Sequence, residues 1–415
     1  SITTATAGTA APASPAAINV TTVGTAVTVT ESAVAGYALT GFSCTDANSA
    51  VTGNTGSFGT FSGSVGTIPA ANVKAGAAIS CTFTNTRSTI AFQKISAGGT
   101  GTFSFSGSTN LVSTPGSITT TTAGTAAPAS PAAINVTTIG TAVTVTESSV
   151  AGYVLTGFSC TDANGATTGN TGSFGSFSGN AGTVPAANVK AGSAITCTFT
   201  NSKTPTVKVQ KVTTGGFGGP FGFTQTNLAS TPAGITTAAA NTATPASPTA
   251  INVLTTGTAV TLTETLASGY ALASAACTDA NSAVTGNTGS VGSVSGNTLT
   301  IAAGNVVAGA DFTCTFTNAK LPTLTLTKIS NGGVGGFTFS GTNGWTSQTI
   351  TTVTSGTGVT GTTRTLSAAS TATTITETIR SSIGEVTENT APRTGSPSNW
   401  ASNRRGREKL RLRSL

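Results

Sequence analysis

Residues 1 to 32, "SITTATAGTAAPASPAAINVTTVGTAVTVTES", recur at 117 to 148 with two differences, and a looser copy surrounds "INVLTTGTAVTLTETL" at 251 to 266. The first cysteine of each copy stands at 44, 160 and 277, a period of 116 and then 117 residues. That is the length of a domain, not the roughly 20 to 50 residues of a solenoid unit. Any fold proposed for one copy must therefore suit the others. Phasing the period gives whole units at 88–204 and 205–321, a unit at 1–87 without the 29 residues that open the others, and a unit at 322–380 without its closing half. Residues 381–415 carry no repeat and are expected to be a basic, disordered tail.

Within a unit the apolar residues alternate. In "ISCTFTN" Ile79, Cys81, Phe83 and Asn85 share one face, and Ser80, Thr82 and Thr84 share the other, which is the period of a half-buried strand. Alanine, threonine, glycine, serine and valine dominate, 52 glycines punctuate the chain, and no segment sustains a helical period. The expected fold class is all-β, a tandem array of β-sandwich domains of prealbumin or immunoglobulin type.

Several function classes drop out. The net charge of +7 suggests a nucleic-acid binder, but seven of the 18 basic residues lie between 393 and 415, and the rest nearly balance the acids. No basic face remains to follow a phosphate backbone. With no histidine in the chain, Ser-His and Cys-His nucleophile pairs and most zinc sites are unavailable, so neither a cofactor, a metal nor an external substrate is expected. Asp46, Asp162 and Asp279 stand in "CTDAN" segments, where a single carboxylate is thin for calcium and an Asx-turn in a surface loop is the simpler reading. The glycine-rich stretches after each lysine strand, such as "GGTGTFSFSG", precede strands and read as turns, not phosphate loops. "APRTG" at 391–395 only faintly resembles a sorting pentapeptide. No apolar run is long enough to span a membrane, and the start at Ser1 is read as a removed leader or a fragment.

The six cysteines form three pairs of constant spacing: Cys44 with Cys81, Cys160 with Cys197, and Cys277 with Cys314. One pair per repeat is expected to be one disulfide per repeat, which points to an exported protein. Closing such a loop stabilises a domain by about 4 kcal/mol in the chain-entropy model.

The alternation also places polar residues on apolar faces. Lys94 follows Ile90 and Phe92, Lys211 follows Val207 and Val209, and Lys328 follows Leu324 and Leu326. Glu31, Glu147 and Glu264 each end a "VTVTE"-like run, and Asn85, Asn201 and Asn318 each end "CTFTN". Three unrelated buried polar groups would cost several kcal/mol apiece, so the members of each whole repeat (Lys94, Glu147, Asn201; Lys211, Glu264, Asn318) are expected to meet. The incomplete units hold unpaired counterparts: Glu31 and Asn85 without a lysine, Lys328 and Glu377 without an asparagine.

A lysine in the first strand, "TE" shortly before "GY" (Gly36-Tyr37, Gly152-Tyr153, Gly269-Tyr270) and "FTN" in the last strand resemble the prealbumin-like, Cna B-type or SpaA-like repeats of bacterial surface proteins. The resemblance covers residues 1 to about 380. It implies that the lysine amine attacks the asparagine amide while the glutamate carries protons, leaving an intramolecular isopeptide bond. Lys94 would join Asn201 and Lys211 would join Asn318, with Glu147 and Glu264 as self-crosslinking catalysts. Burial favours the neutral forms of such a pair, and a desolvated amine is a competent nucleophile.

The expected role is a structural stalk of an exported bacterial surface protein or adhesin, holding a tip outside these residues that meets an unknown surface ligand. The alternative is a binding module whose threonine-rich strand faces engage glycan, ice or host protein. Head-to-tail self-association, with the Lys328 strand completing the Glu31 and Asn85 unit of a second molecule, is a further expectation.

Overall fold

The computed structural model describes residues 1–13 and 16–378; the basic tail and "APRTG" lie outside the described residues. These residues divide into a unit from Ser1 to Pro322 and a second that starts at Thr323.

In the first unit, the repeat after Ser88 is a two-sheet sandwich. One sheet orders its strands Ala127–Pro128, Thr89–Ala97, Ala194–Lys203 and Tyr153–Asp162; the other orders them Ser176–Ser178, Ala181–Val184, Val143–Glu147 and Phe105–Thr109. Inward residues of both sheets, among them Ile90, Phe92, Val143, Val145, Phe158, Ile195 and Phe199, fill the core between them. The strand that opens the repeat and the strand that closes it are parallel neighbours, in register with Lys94 opposite Phe199 and Ser96 opposite Asn201. A parallel pair needs a long connection, and here that connection is nearly the whole repeat. The next repeat builds the same pair from Thr206–Thr214 and Asp311–Lys320, facing Val260–Thr265 across its own core.

The expected disulfides are present: Cys44–Cys81, Cys160–Cys197 and Cys277–Cys314. Each joins residues directly opposite on adjacent antiparallel strands of one sheet, as Cys160 and Cys197 are. Of the "CTDAN" aspartates Asp46 and Asp279 are buried and Asp162 half-buried, which corrects the surface-loop reading. The backbone amides of Asn164 and Ala194, the Thr168 hydroxyl and the Asn170 amide all donate to Asp162. The Asx-turn exists, but the carboxylate pins two distant segments together. For Asp162, burial alone would raise the pKa, and these donors outweigh it and lower it; hydrogen bonding led by Thr52 holds Asp46 at about 2.

Residues 1–87 form an open version. A sheet of Val27–Thr30, Val65–Ile68 and Thr60–Ser62 faces a two-stranded one of Tyr37–Asp46 and Ile79–Arg87, over a small core of Phe42, Cys44, Ile68 and Val73. Here Val29 is exposed and Glu31 half-exposed, although Glu31 still points inward and reaches Asn85 on the facing sheet. Among the described residues no lysine strand lies beside Ile79–Arg87 to cover that end of the sandwich.

In the second unit Gly335–Gly341 pairs with Gln348–Thr352 and Ile375–Thr378. The segment carrying Lys328 is tied by two short ladders, Thr323–Leu324 to Arg364–Thr365 and Thr327–Lys328 to Val359–Thr360.

Candidate crosslinking site

In the first whole repeat Lys94 and Asn201 lie on adjacent parallel strands, two positions out of register on the inward face. Diagonal neighbours of this kind are within reach of a long side chain. Glu147 comes from the facing sheet and meets both. Lys94 Nζ donates to Glu147 Oε2 at 2.7 Å, and Asn201 Nδ2 donates to Glu147 Oε1 at 2.6 Å. All three are buried, Lys94 completely. Among the described residues the Asn201 Oδ1 atom has no hydrogen-bond partner. A cavity of about 130 Å³ opens beside Glu147 and Asn201, lined also by Ser148, Val150, Tyr153 and Leu155.

In the second whole repeat Lys211, Glu264 and Asn318 are buried at the same positions. Lys211 Nζ stands 2.5 Å from Glu264 Oε1. The contact lacks hydrogen-bond alignment, and the Asn318 side-chain amide makes no hydrogen bond among the described residues. Two amide atoms with no partner inside a dry core are costly, so the observed arrangement is one that a further interaction of Asn318 would relieve.

Burial pulls the Lys94 amine down to about 8 against the opposing influence of Glu147, and burial lowers Lys211 as well. Part of that burial was not foreseen. Lys94 Nζ sits 4.3 Å from the centroid of Phe103, Lys211 4.6 Å from that of Phe221, and Lys328 4.2 Å from that of Phe337. These phenylalanines belong to the glycine-rich stretches read above as mere turns. Tyr153 and Tyr270 of the "GY" pairs pack edge-on against Phe103 and Phe221 at 5.2 and 5.1 Å. A phenylalanine nine or ten residues after each lysine was the available signal.

The incomplete units hold partial sites. Asn85 Nδ2 donates to Glu31 Oε1 at 2.6 Å, both half-exposed, beside a cavity of about 310 Å³. Lys328 Nζ donates to both Glu377 oxygens at 2.8 and 2.9 Å, also half-exposed.

The complete arrangement is suited to acyl transfer between side chains. A lysine amine and a glutamate carboxyl that share one proton can exist as ammonium and carboxylate or as amine and acid, and the burial that lowers the Lys94 amine raises the share of the free amine. The amine is then free to attack the asparagine carbonyl carbon. The carboxyl, already hydrogen-bonded to the amide nitrogen, is placed where it could pass the amine proton to that nitrogen as ammonia leaves.

A family described as a prealbumin-like fold domain matches residues 1–87, 90–203, 207–320 and 324–384. No curated protein sequence matches the chain. Among solved structures, a major pilin of Streptococcus pyogenes is 16% identical, covering 57% of this chain and 98% of its own, with a TM-score of 0.20. The pilus adhesin SpaC of Lactobacillus rhamnosus GG is 13% identical over 85% of this chain, with a TM-score of 0.27, and the match spans 49% of the adhesin. With four tandem matches spanning most of its length, the chain belongs to the prealbumin-like fold domain family.

Proposed function

We propose that this chain is a load-bearing stalk segment of an exported bacterial surface protein, in which domains 88–204 and 205–321 are each closed by an isopeptide bond, Lys94 to Asn201 and Lys211 to Asn318. Glu147 and Glu264 serve as the proton carriers of that one-time reaction. The chain acts on no external substrate, and recognition of a surface ligand belongs to a tip beyond these residues. The observation that carries this reading is the fully buried Lys94 held by Glu147, which in turn holds Asn201, on the two terminal and parallel strands of one repeat. Three disulfides in a chain of 415 residues fit an oxidising, extracellular compartment.

Intact mass of the purified chain, reduced and alkylated, tests the reading. Two bonds remove two ammonia molecules, about 17 Da each, through attack by the lysine nucleophiles. Glu147→Ala is expected to restore one ammonia and leave the other missing. A reduced wild-type chain at its full unlinked mass would overturn the proposal.

A further inference from the structure

Tyr153 reaches the crosslinking site from two strands away. The sheet orders the lysine strand Thr89–Ala97, the asparagine strand Ala194–Lys203 and then Tyr153–Asp162. Tyr153 is paired with Lys203 of the asparagine strand, yet its ring lies against Phe103 and its hydroxyl donates to Thr100 O at 2.8 Å. Thr100 and Phe103 follow the lysine strand, and two strand spacings are roughly 10 Å. The side chain therefore crosses the end of the asparagine strand and ties the third strand to the first. Glycine leaves the room for it: a Cβ on Gly99 would fall 2.9 Å from the Tyr153 hydroxyl, and one on Gly218 3.0 Å from that of Tyr270. Tyr270 repeats the arrangement, paired with Lys320 and packed on Phe221.

A bulge delivers the ring. The ladder between the tyrosine and asparagine strands runs in step from Asp162 to Gly157, skips Thr156 and resumes with Leu155 opposite Asn201. Strict alternation from Cys160 and Phe158 would turn Thr156 and Val154 inward and Leu155 outward. The extra residue reverses this, so that Leu155 is 6% exposed and Val154 58%. A bulge also bends and twists its strand, which re-aims the side chains beyond it, and here those are Leu155 and Tyr153. The next repeat skips Ala273 at the same place, with Leu272 opposite Asn318. The Thr156 hydroxyl, which donates to Thr200 O, has no counterpart on Ala273, so the bulge does not depend on it. Between "YVLTGFSC" and "YALASAAC" only the tyrosine, the leucine and the cysteine are shared, and the bulge is kept with them. Beyond the bulge lie the reacting groups: Tyr153 and Leu155 border the cavity beside Glu147 and Asn201, and Tyr153 backs the phenylalanine that faces the Lys94 amine.

We propose that Tyr153 and Tyr270 are positioning residues for the crosslinking reaction, set in place by the bulges at Thr156 and Ala273, each holding its phenylalanine over the lysine amine and closing the sheet beside the asparagine. The inference rests on the proposed function, whose reaction these residues serve. Tyr153 acts through Phe103 and takes no part in the bond changes.

The full chain diluted from denaturant, with ammonia loss followed by peptide mass in each whole repeat, tests this. Tyr153→Ala is expected to slow the loss from 88–204 on the order of tenfold for each pKa unit that Lys94 recovers, and to move the alkaline limb of the rate profile upward by the same amount. Tyr153→Phe keeps the ring and loses only the bond to Thr100, so it should keep the wild-type limb. Deleting Thr156 leaves the inward order of side chains intact and removes the bulge; it is expected to behave as Tyr153→Ala does. Formation of the Cys160–Cys197 bond shows that 88–204 has folded in each variant, and the rate of 205–321 in the same molecules is the internal control. A Tyr153→Ala chain with the wild-type rate and limb would overturn the proposal, as would a slower rate with an unmoved limb, which is what a purely structural role gives. A Thr156 deletion that reacts as the wild type does would overturn the part given to the bulge. A wild-type chain that loses no ammonia overturns the proposed function and this inference with it, an outcome distinct from a wild type that reacts and variants that match it.

Discussion

Glu147 faces Lys94 and Asn201 from the opposite sheet, so its carboxyl decides the outcome at the scale of single residues. The proposed reaction would need a pair that shares one proton, and that proton is lost as the Lys94 amine titrates near its lowered value of about 8. Crosslinking of chain diluted from denaturant is therefore expected to hold steady through neutral pH and to slow above about pH 8, read by the mass of the repeat over time. A rate that climbs steadily into alkali would mean that the bare amine suffices and Glu147 supplies no proton. Phe103 shields the same amine. Phe103→Ala should raise the lysine towards its ordinary value, slow the reaction on the order of tenfold for each pKa unit recovered, and move the alkaline limb of the profile upward. A merely structural role would slow the reaction without moving the limb. Lysine, glutamate and asparagine were legible in the sequence because each breaks a period-two apolar pattern with a group that costs energy to bury. Phe103 and Phe221 were not, because a phenylalanine over a lysine has the same sequence signature as one in any core.

At the scale of the strand, the sheets and the cysteine pairing followed from alternation and spacing alone, since neighbouring strands put Cys160 directly opposite Cys197. The exposure of residues 1–32 did not follow, because near-identical segments are buried or open according to whether a lysine strand lies beside them. The fate of a strand here is set by its neighbour. The aspartate turn shows the same dependence on distant chain: Asp162 ties the start of its loop to the asparagine strand through the Ala194 amide. Asp162→Ala leaves four donors, three of them in part-buried bonds, without their acceptor and should cost about 2 kcal/mol locally. Hydrogen exchange at the Asn164 and Ala194 amides should speed up by roughly thirtyfold, that cost converted to an opening constant, while Asn281 and Asp311 in the next repeat act as the internal control. Unchanged protection would show that the backbone, not the carboxylate, holds the loop.

Over the first unit as a whole, successive repeats touch through backbone. The Gly36 amide donates to Thr137 O at 2.8 Å, and Gly309 donates to Lys203 O at 2.8 Å while Asn281 Nδ2 reaches Gly98 O at 3.0 Å. A Cβ on Gly309 would fall 1.8 Å from Gly98 O, so that joint requires glycine. Load applied along the chain enters a whole repeat at its first strand and leaves at its last, and these are parallel neighbours pulled in shear. A bond from Lys94 to Asn201 would carry that load past everything between them. The disulfide is no substitute, because Cys160–Cys197 lies off that route and comes under tension only after the chain from Lys94 to Cys160 has paid out. The proposed isopeptide bond and the disulfide would therefore have different roles, one for the load path and one for the fold. Single-molecule pulling of the chain held at its two ends measures this most directly. The whole repeats are expected to give no unfolding step, and Glu147→Ala is expected to add one step on the order of 200 Å as far as the disulfide allows. Steps of that length from both whole repeats of the wild-type chain would contradict a stalk whose tension runs through Lys–Asn bonds.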